Sequence, residues 1–124
     1  MKRMEFKEGQ TIFQQGDPSD LCYKITTGTV EIRIASYDGT GTLRTVVAQT
    51  LGHGDVFGEM GIIDDSPRSA SAIATKHTVC VAYTSEEIMA LLEVNPKEAI
   101  AYIHTLIQRL RSKNIRILVE GERE

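Results

Sequence analysis

The sequence predicts a mainly β domain of the sandwich, jelly-roll or barrel class, followed by helices at its C-terminal end. Three observations carry this. Short apolar runs recur from Glu5 to about Tyr83 with glycine-bearing turns between them, the pattern of many short antiparallel strands. After Thr84 the apolar period changes from two to between three and four, and helix start signals occur twice. Finally, 124 residues with 41% hydrophobic content suffice for one ordinary core and not for two, so a single domain over 1–124 is expected.

In chain order, Phe6 opens the strand-like part, and Ile12-Phe13 precede the turn Gln15-Gly16-Asp17-Pro18. Leu21, Tyr23 and Ile25 alternate ahead of Thr27-Gly28, and Val30, Ile32 and Ile34 alternate with Glu31 and Arg33, as half-buried strands do. Asp38-Gly39-Thr40-Gly41 offers turn residues before the β-branched return from Leu43 to Leu51, so this pair reads as a hairpin. Ala70 to Ala74 and Thr78 to Tyr83 give two more strands, placing the β part at about 5–84. Thr84-Ser85-Glu86-Glu87 is a capping box ahead of Ile88, Met89, Leu91 and Leu92 and starts a helix over about 85–94. Asn95-Pro96-Lys97-Glu98 repeats the signal for a helix over about 96–119, ahead of Gly121. That helix carries Ile100, Ile103, Ile107, Leu110, Asn114 and Ile117 at spacings of 3, 4, 3, 4, 3. Such a stripe either docks on the β part or forms a parallel coiled coil between two copies, with Asn114 fixing register.

Composition narrows the function classes. A net charge of -3 and a pI near 5.6 give no overall attraction to nucleic acid or to an anionic membrane. No apolar run approaches the roughly 18 residues of a membrane-spanning helix, and no apolar segment follows the charges of Met1 to Lys7, so the chain reads as cytoplasmic and unprocessed. It ends at Glu124, just after the last helix, which leaves no room for a helix-turn-helix and no expected nucleic-acid contact. Cys22 and Cys80 lack a CxxC partner and read as inert core thiols. His53, His77 and His104 lack metal-ligand spacing, and Arg109, Arg111, Lys113 and Arg116 read as a solvated helix face. No catalytic residue and no metal site are expected.

The stretch from Gly54 to Ala72 is neither a clean helix nor a clean strand, yet it concentrates functional groups between patterned strands. Gly58 permits close approach of a backbone, and a helical turn starting there would point free N–H groups at an anion. Arg68 offers a forked, permanently charged donor suited to two phosphate oxygens, with the Ser69 hydroxyl beside it. Glu59, acceptor-only when ionised, suits a sugar hydroxyl. Taken singly, Arg68 would pair with Asp64 or Asp65 and Glu59 would cap its own turn. Taken together they suit a phosphate joined to a ribose.

Phe57-Gly58-Glu59-Met60, an acidic spacer and Pro67-Arg68-Ser69-Ala70-Ser71-Ala72 resemble the phosphate-binding cassette of cyclic nucleotide-binding domains. Gln15-Gly16-Asp17, Thr27-Gly28-Thr29-Val30, Gly54-Asp55 and Val94-Asn95-Pro96 agree in order with the same family. The resemblance implies an antiparallel β-roll, or double-stranded jelly roll, with a short helix in the cassette and a C-terminal lid helix. It implies a non-catalytic module that binds cAMP or cGMP, needs no cofactor and signals by movement of its last helix. The implied ligand-binding residues are Phe57, Gly58, Glu59, Met60, Pro67, Arg68, Ser69, Ala70 and Asn114. Among them, Arg68 would meet the cyclic phosphate and Glu59 the ribose 2′-hydroxyl, with N–H groups of Gly58 and Ala70 and the Ser69 hydroxyl around them. Lys113 and Asn114 stand where the catabolite activator protein has base-contacting hydroxyls, so cAMP and cGMP both stay open. The partner is a second copy of the chain or an effector protein. The alternatives are the same fold with a different ligand, and a cupin-like small β-barrel metalloenzyme.

Overall fold

The computed structural model describes residues 1–59 and 66–105. Among these, the strands are β1 (Lys2–Phe6), β2 (Thr11–Phe13), β3 (Cys22–Thr27), β4 (Val30–Tyr37), β5 (Leu43–Leu51), β6 (Val56–Phe57), β7 (Ser71–Ala74) and β8 (Thr78–Tyr83). They form two four-stranded sheets, ordered β1-β8-β3-β6 and β2-β7-β4-β5. The antiparallel pairs β1 with β8, β2 with β7, β3 with β6 and β4 with β5 are nested. A chain doubled back at the β4–β5 hairpin and then rolled up gives this pairing, which is the double-stranded jelly roll expected from the sequence.

Period-2 patterning decides what faces inward. Tyr23 and Ile25, Ala72 and Ala74, and Cys80 and Ala82 are buried at i, i+2 positions of their strands and join Phe6, Val30 and Phe57 in one core. Tyr23 stacks on Phe57 with centroids 5.1 Å apart, and Phe6 meets Tyr23 edge-on at 6.3 Å. Small alanines on β7 and β8 leave room for these rings. Cys22 and Cys80 are buried free thiols, and burial pushes both up to about 11.

Two strands differ from the sequence reading. β1 begins at Lys2 and pairs with β8 along its whole length, from Lys2↔Ala82 to Phe6↔Thr78. It is a sheet edge whose inward side holds only Met4 and Phe6, too little alternation to stand out among charges. β6, only two residues long, lies inside the segment read as irregular and pairs with Tyr23 and Lys24. The hairpin is as expected: Asp38 N–H donates to the Thr42 carbonyl at 2.9 Å. The Asp38 carboxylate accepts from the Thr40 hydroxyl, from the Thr40 and Thr42 N–H groups and from Arg44 Nε. These bonds, the Thr40 hydroxyl's first, hold Asp38 well below the usual carboxylate range.

The capping box forms as read. Glu87 N–H donates to Thr84 Oγ1 and Thr84 N–H to the Glu87 carboxylate, both at 3.2 Å, at the start of α1 (Ser85–Val94). Residues 96–105 are helical again after a break at Asn95. Ile100 and Ile103 are exposed. The rest of the expected helix, with Ile107, Leu110, Asn114 and Ile117, lies outside the described residues.

Candidate ligand-binding site

The segment after β5 is anchored at its start. Gly54 N–H donates to the Ile25 carbonyl at 2.8 Å and Ile25 N–H to the Asp55 carbonyl at 2.9 Å, which delivers β6 alongside β3. Phe57 then turns its side chain into the core. Gly58 follows as a bend with φ of 80° rather than as the first residue of a helical turn, and the expected cassette helix falls on residues outside the described ones. A Cβ at Gly58 would stand 2.7 Å from Arg68 Nη1 and 3.3 Å from the Phe13 ring. Glycine here clears the space that a guanidinium occupies.

Arg68 is committed through both backbone and side chain. Its N–H donates to the Asp17 carbonyl and its carbonyl accepts from Gly16 N–H, each at 2.8 Å, which clamps it to the turn after β2. That turn is closed by the Asp17 carboxylate, which accepts from Gln14 N–H at 2.9 Å. Gln15 ties the turn outward: its N–H donates to Ser71 Oγ, and its carboxamide both donates to and accepts from the Ala35 backbone, at 3.1 and 2.8 Å. The guanidinium points inward, with Nη1 donating to the Gly58 carbonyl at 2.8 Å and Nη2 to the Leu21 carbonyl at 2.5 Å. Its Cζ lies 4.0 Å from the centroid of the Phe13 ring.

Of the buried polar or charged side chains among the described residues, Thr78 is satisfied by the Lys76 and Thr29 carbonyls, while the two ionisable ones, Glu59 and Arg68, both belong to this segment. Burying a charge is costly unless it meets a partner. The carboxylate of Asp20 is 3.8 Å from Arg68 Nη2, but its side chain is 79% exposed, so solvent screens the pair. Neutral carbonyls and a ring face do most of the holding, and desolvation lowers the Arg68 pKa from its ordinary value. Arg68 Nε is buried and meets no acceptor among the described residues. A buried N–H donor of a charged group calls for an acceptor, and an anion is the acceptor that would also offset the charge.

Among the predicted site residues, Gly58 and Arg68 are thus brought into contact, Glu59 is buried next to Gly58 in the chain, and Ala70 is buried two residues beyond Arg68. Pro67 and Ser69 are exposed. Phe57 belongs to the core, and Met60 and Asn114 lie outside the described residues, as do Asp64 and Asp65, the alternative partners considered for Arg68. Sequence reasoning missed Phe13, Gln15, Asp20 and the carbonyls of Asp17 and Leu21. The Gln15-Gly16-Asp17 motif was the signal for the turn, though not for what it holds. No group of three or more His, Cys, Asp or Glu able to hold a metal occurs among the described residues, and no helix among them is long and apolar enough to cross a membrane.

Two antiparallel sheets rolled around one core, with an arginine and a carboxylate buried in the segment between β6 and β7, define a β-roll domain. The chain belongs to the cyclic nucleotide-binding domain family, whose model matches residues 3–95. It is 33% identical over 116 residues to the cyclic AMP receptor protein of Thermus thermophilus, covering 94% of this chain and 52% of that one. It is 30% identical over 114 residues to the CRP-like cAMP-activated global transcriptional regulator of Mycobacterium tuberculosis, covering 92% of this chain and 49% of the regulator. The crystal structure of Thermus thermophilus catabolite activator protein superposes with a TM-score of 0.83 at 32% identity, over 97% of this chain and 55% of that one. The chain therefore spans about half the length of these relatives.

Proposed function

We propose that the chain, as one domain over 1–124, is a regulatory module that binds cAMP or cGMP without transforming it. The observation that carries this reading is the buried Arg68 guanidinium, whose Nε–H meets no acceptor among the described residues, in the same segment as the buried carboxylate of Glu59. Arg68 takes the cyclic phosphate, and Glu59 accepts from the ribose 2′-hydroxyl. Backbone N–H groups of Gly58 and Ala70 and the hydroxyl of Ser69 complete the anion's surroundings. Phe57, Met60, Pro67 and Asn114 are assigned with them to the ligand-binding set. Two relatives named for cAMP support that nucleotide as the first to test. Two buried free thiols fit a reducing compartment, the cytoplasm.

Signalling follows from population shift: the nucleotide favours one of two positions of the C-terminal helix because its contacts differ between them. The readout is a second copy of the chain, paired through that helix, or an effector protein. Titration of the purified protein with cAMP and cGMP tests the reading, with 5′-AMP as control. The expected result is saturable binding of at least one cyclic nucleotide at one site per chain. The dissociation constant should lie below about 100 µM, a binding free energy of roughly 5.5 kcal/mol. Absence of saturation with both would contradict it.

A further inference from the structure

Phe13 ends β2, where the sequence pattern marks it only as an apolar strand residue. Its ring nevertheless lies under the Arg68 guanidinium, 4.0 Å from Cζ to centroid. The ring is itself set by its neighbours, tilted against Tyr23 at 6.0 Å and Phe57 at 5.9 Å. On the same guanidinium, the carbonyls of Gly58 and Leu21 engage Nη1 and Nη2. A carbonyl bond acts along the edge of the guanidinium, whereas a ring acts on its face. An aromatic face attracts a cation through its quadrupole and uses none of the N–H donors. The contact therefore restrains the plane of the fork without engaging the Nε–H, which is buried and meets no acceptor among the described residues.

We propose that Phe13 is a positioning residue for anion binding: its ring holds the Arg68 guanidinium in the plane from which the Nε edge meets the ligand's phosphate. The proposal rests on Arg68 being the phosphate partner. A leucine fills a similar volume but has no quadrupole, so in Phe13→Leu the desolvated guanidinium leaves its slot in the free protein, and anion binding has to restore it.

Two measurements test this. In the ligand-free protein, the Arg68 Nε–H NMR signal, assigned by its loss in Arg68→Lys, is shielded by the ring beneath it. Phe13→Leu shifts it downfield and Phe13→Tyr leaves it shielded. For cAMP, Phe13→Leu weakens binding by about 3- to 30-fold when Arg68 is present. In the Arg68→Lys background the same change costs about twofold or less. An equal loss in both backgrounds would show that Phe13 acts through packing alone and overturn the proposal, as would an unmoved Nε–H signal. If the wild-type protein binds neither nucleotide, the functional reading fails and the positioning role in anion binding fails with it; the NMR comparison then reports only whether the Phe13 ring lies against the guanidinium.

Discussion

Arg68 is a buried charge whose partners among the described residues are mostly neutral: the carboxylate paired with it, Asp20, is solvent-exposed, and carbonyls and an aromatic face supply the rest. Glu59, also buried, carries the opposite sign and the opposite hydrogen-bonding capacity. If it accepts from the ribose, Glu59→Gln weakens cAMP binding by roughly tenfold or more, the worth of a hydrogen bond to a charged group. The variant also loses the preference for cAMP over 2′-deoxy-cAMP, which parallel titrations would reveal. An unchanged preference would remove Glu59 from the sugar. The segment that holds Gly58, Glu59 and Arg68 stood out in the sequence because a charged and glycine-rich irregular stretch between patterned strands is unusual. Phe13 did not, since a strand phenylalanine reads the same whether its ring covers another apolar side chain or a guanidinium. The carbonyls of Leu21 and Asp17 were invisible for a plainer reason, because no side chain encodes them.

Between elements, the described glycine with the least room for a side chain is in the turn joining β3 to β4. Gly28 has φ of 105°, and a Cβ there would stand 2.4 Å from Thr78 Oγ1 and 2.6 Å from the His77 carbonyl. The backbone of the next sheet strand cannot give way as a flexible side chain can, so Gly28→Ala is predicted to destabilise the protein by about 3 kcal/mol, measured by urea unfolding. The thiols of β3 and β8 predict a pH dependence. Both are raised from 9.0 to about 11 by burial, so the folded state holds these protons more tightly than the unfolded state. Their stabilisation is complete below about pH 9 and is lost as pH rises through 11, by about 3 kcal/mol per thiol at most. Urea midpoints across that range should fall with pH, and less steeply in Cys80→Ala. At this scale the longer strands, the hairpin and the capping box were readable from periodicity and turn chemistry. β1 and β6 were not, because one is a charged edge with two inward residues and the other is two residues long.

At the scale of the whole molecule, nested strand pairing brings distant stretches of sequence to one place. The turn at Gly16-Asp17, the carbonyl of Leu21, the bend at Gly58 and the strand start at Ser71 all converge on Arg68 or its immediate neighbours. The jelly roll and the family were both legible, because turn motifs spread along the chain keep a consistent order. The sequence left the choice of base and of partner open, since Asn114 suits either a purine edge or a coiled-coil register. The central claim is that the Arg68 guanidinium supplies the anion site of a cyclic nucleotide module, and calorimetric titration of cAMP into wild-type protein and Arg68→Ala tests it most directly. The account predicts saturable binding to the wild type and a loss of about 30-fold or more in the variant, equivalent to at least roughly 2 kcal/mol for a charged phosphate contact, with the cooperative melting transition retained. Equal affinity in the two proteins would contradict it.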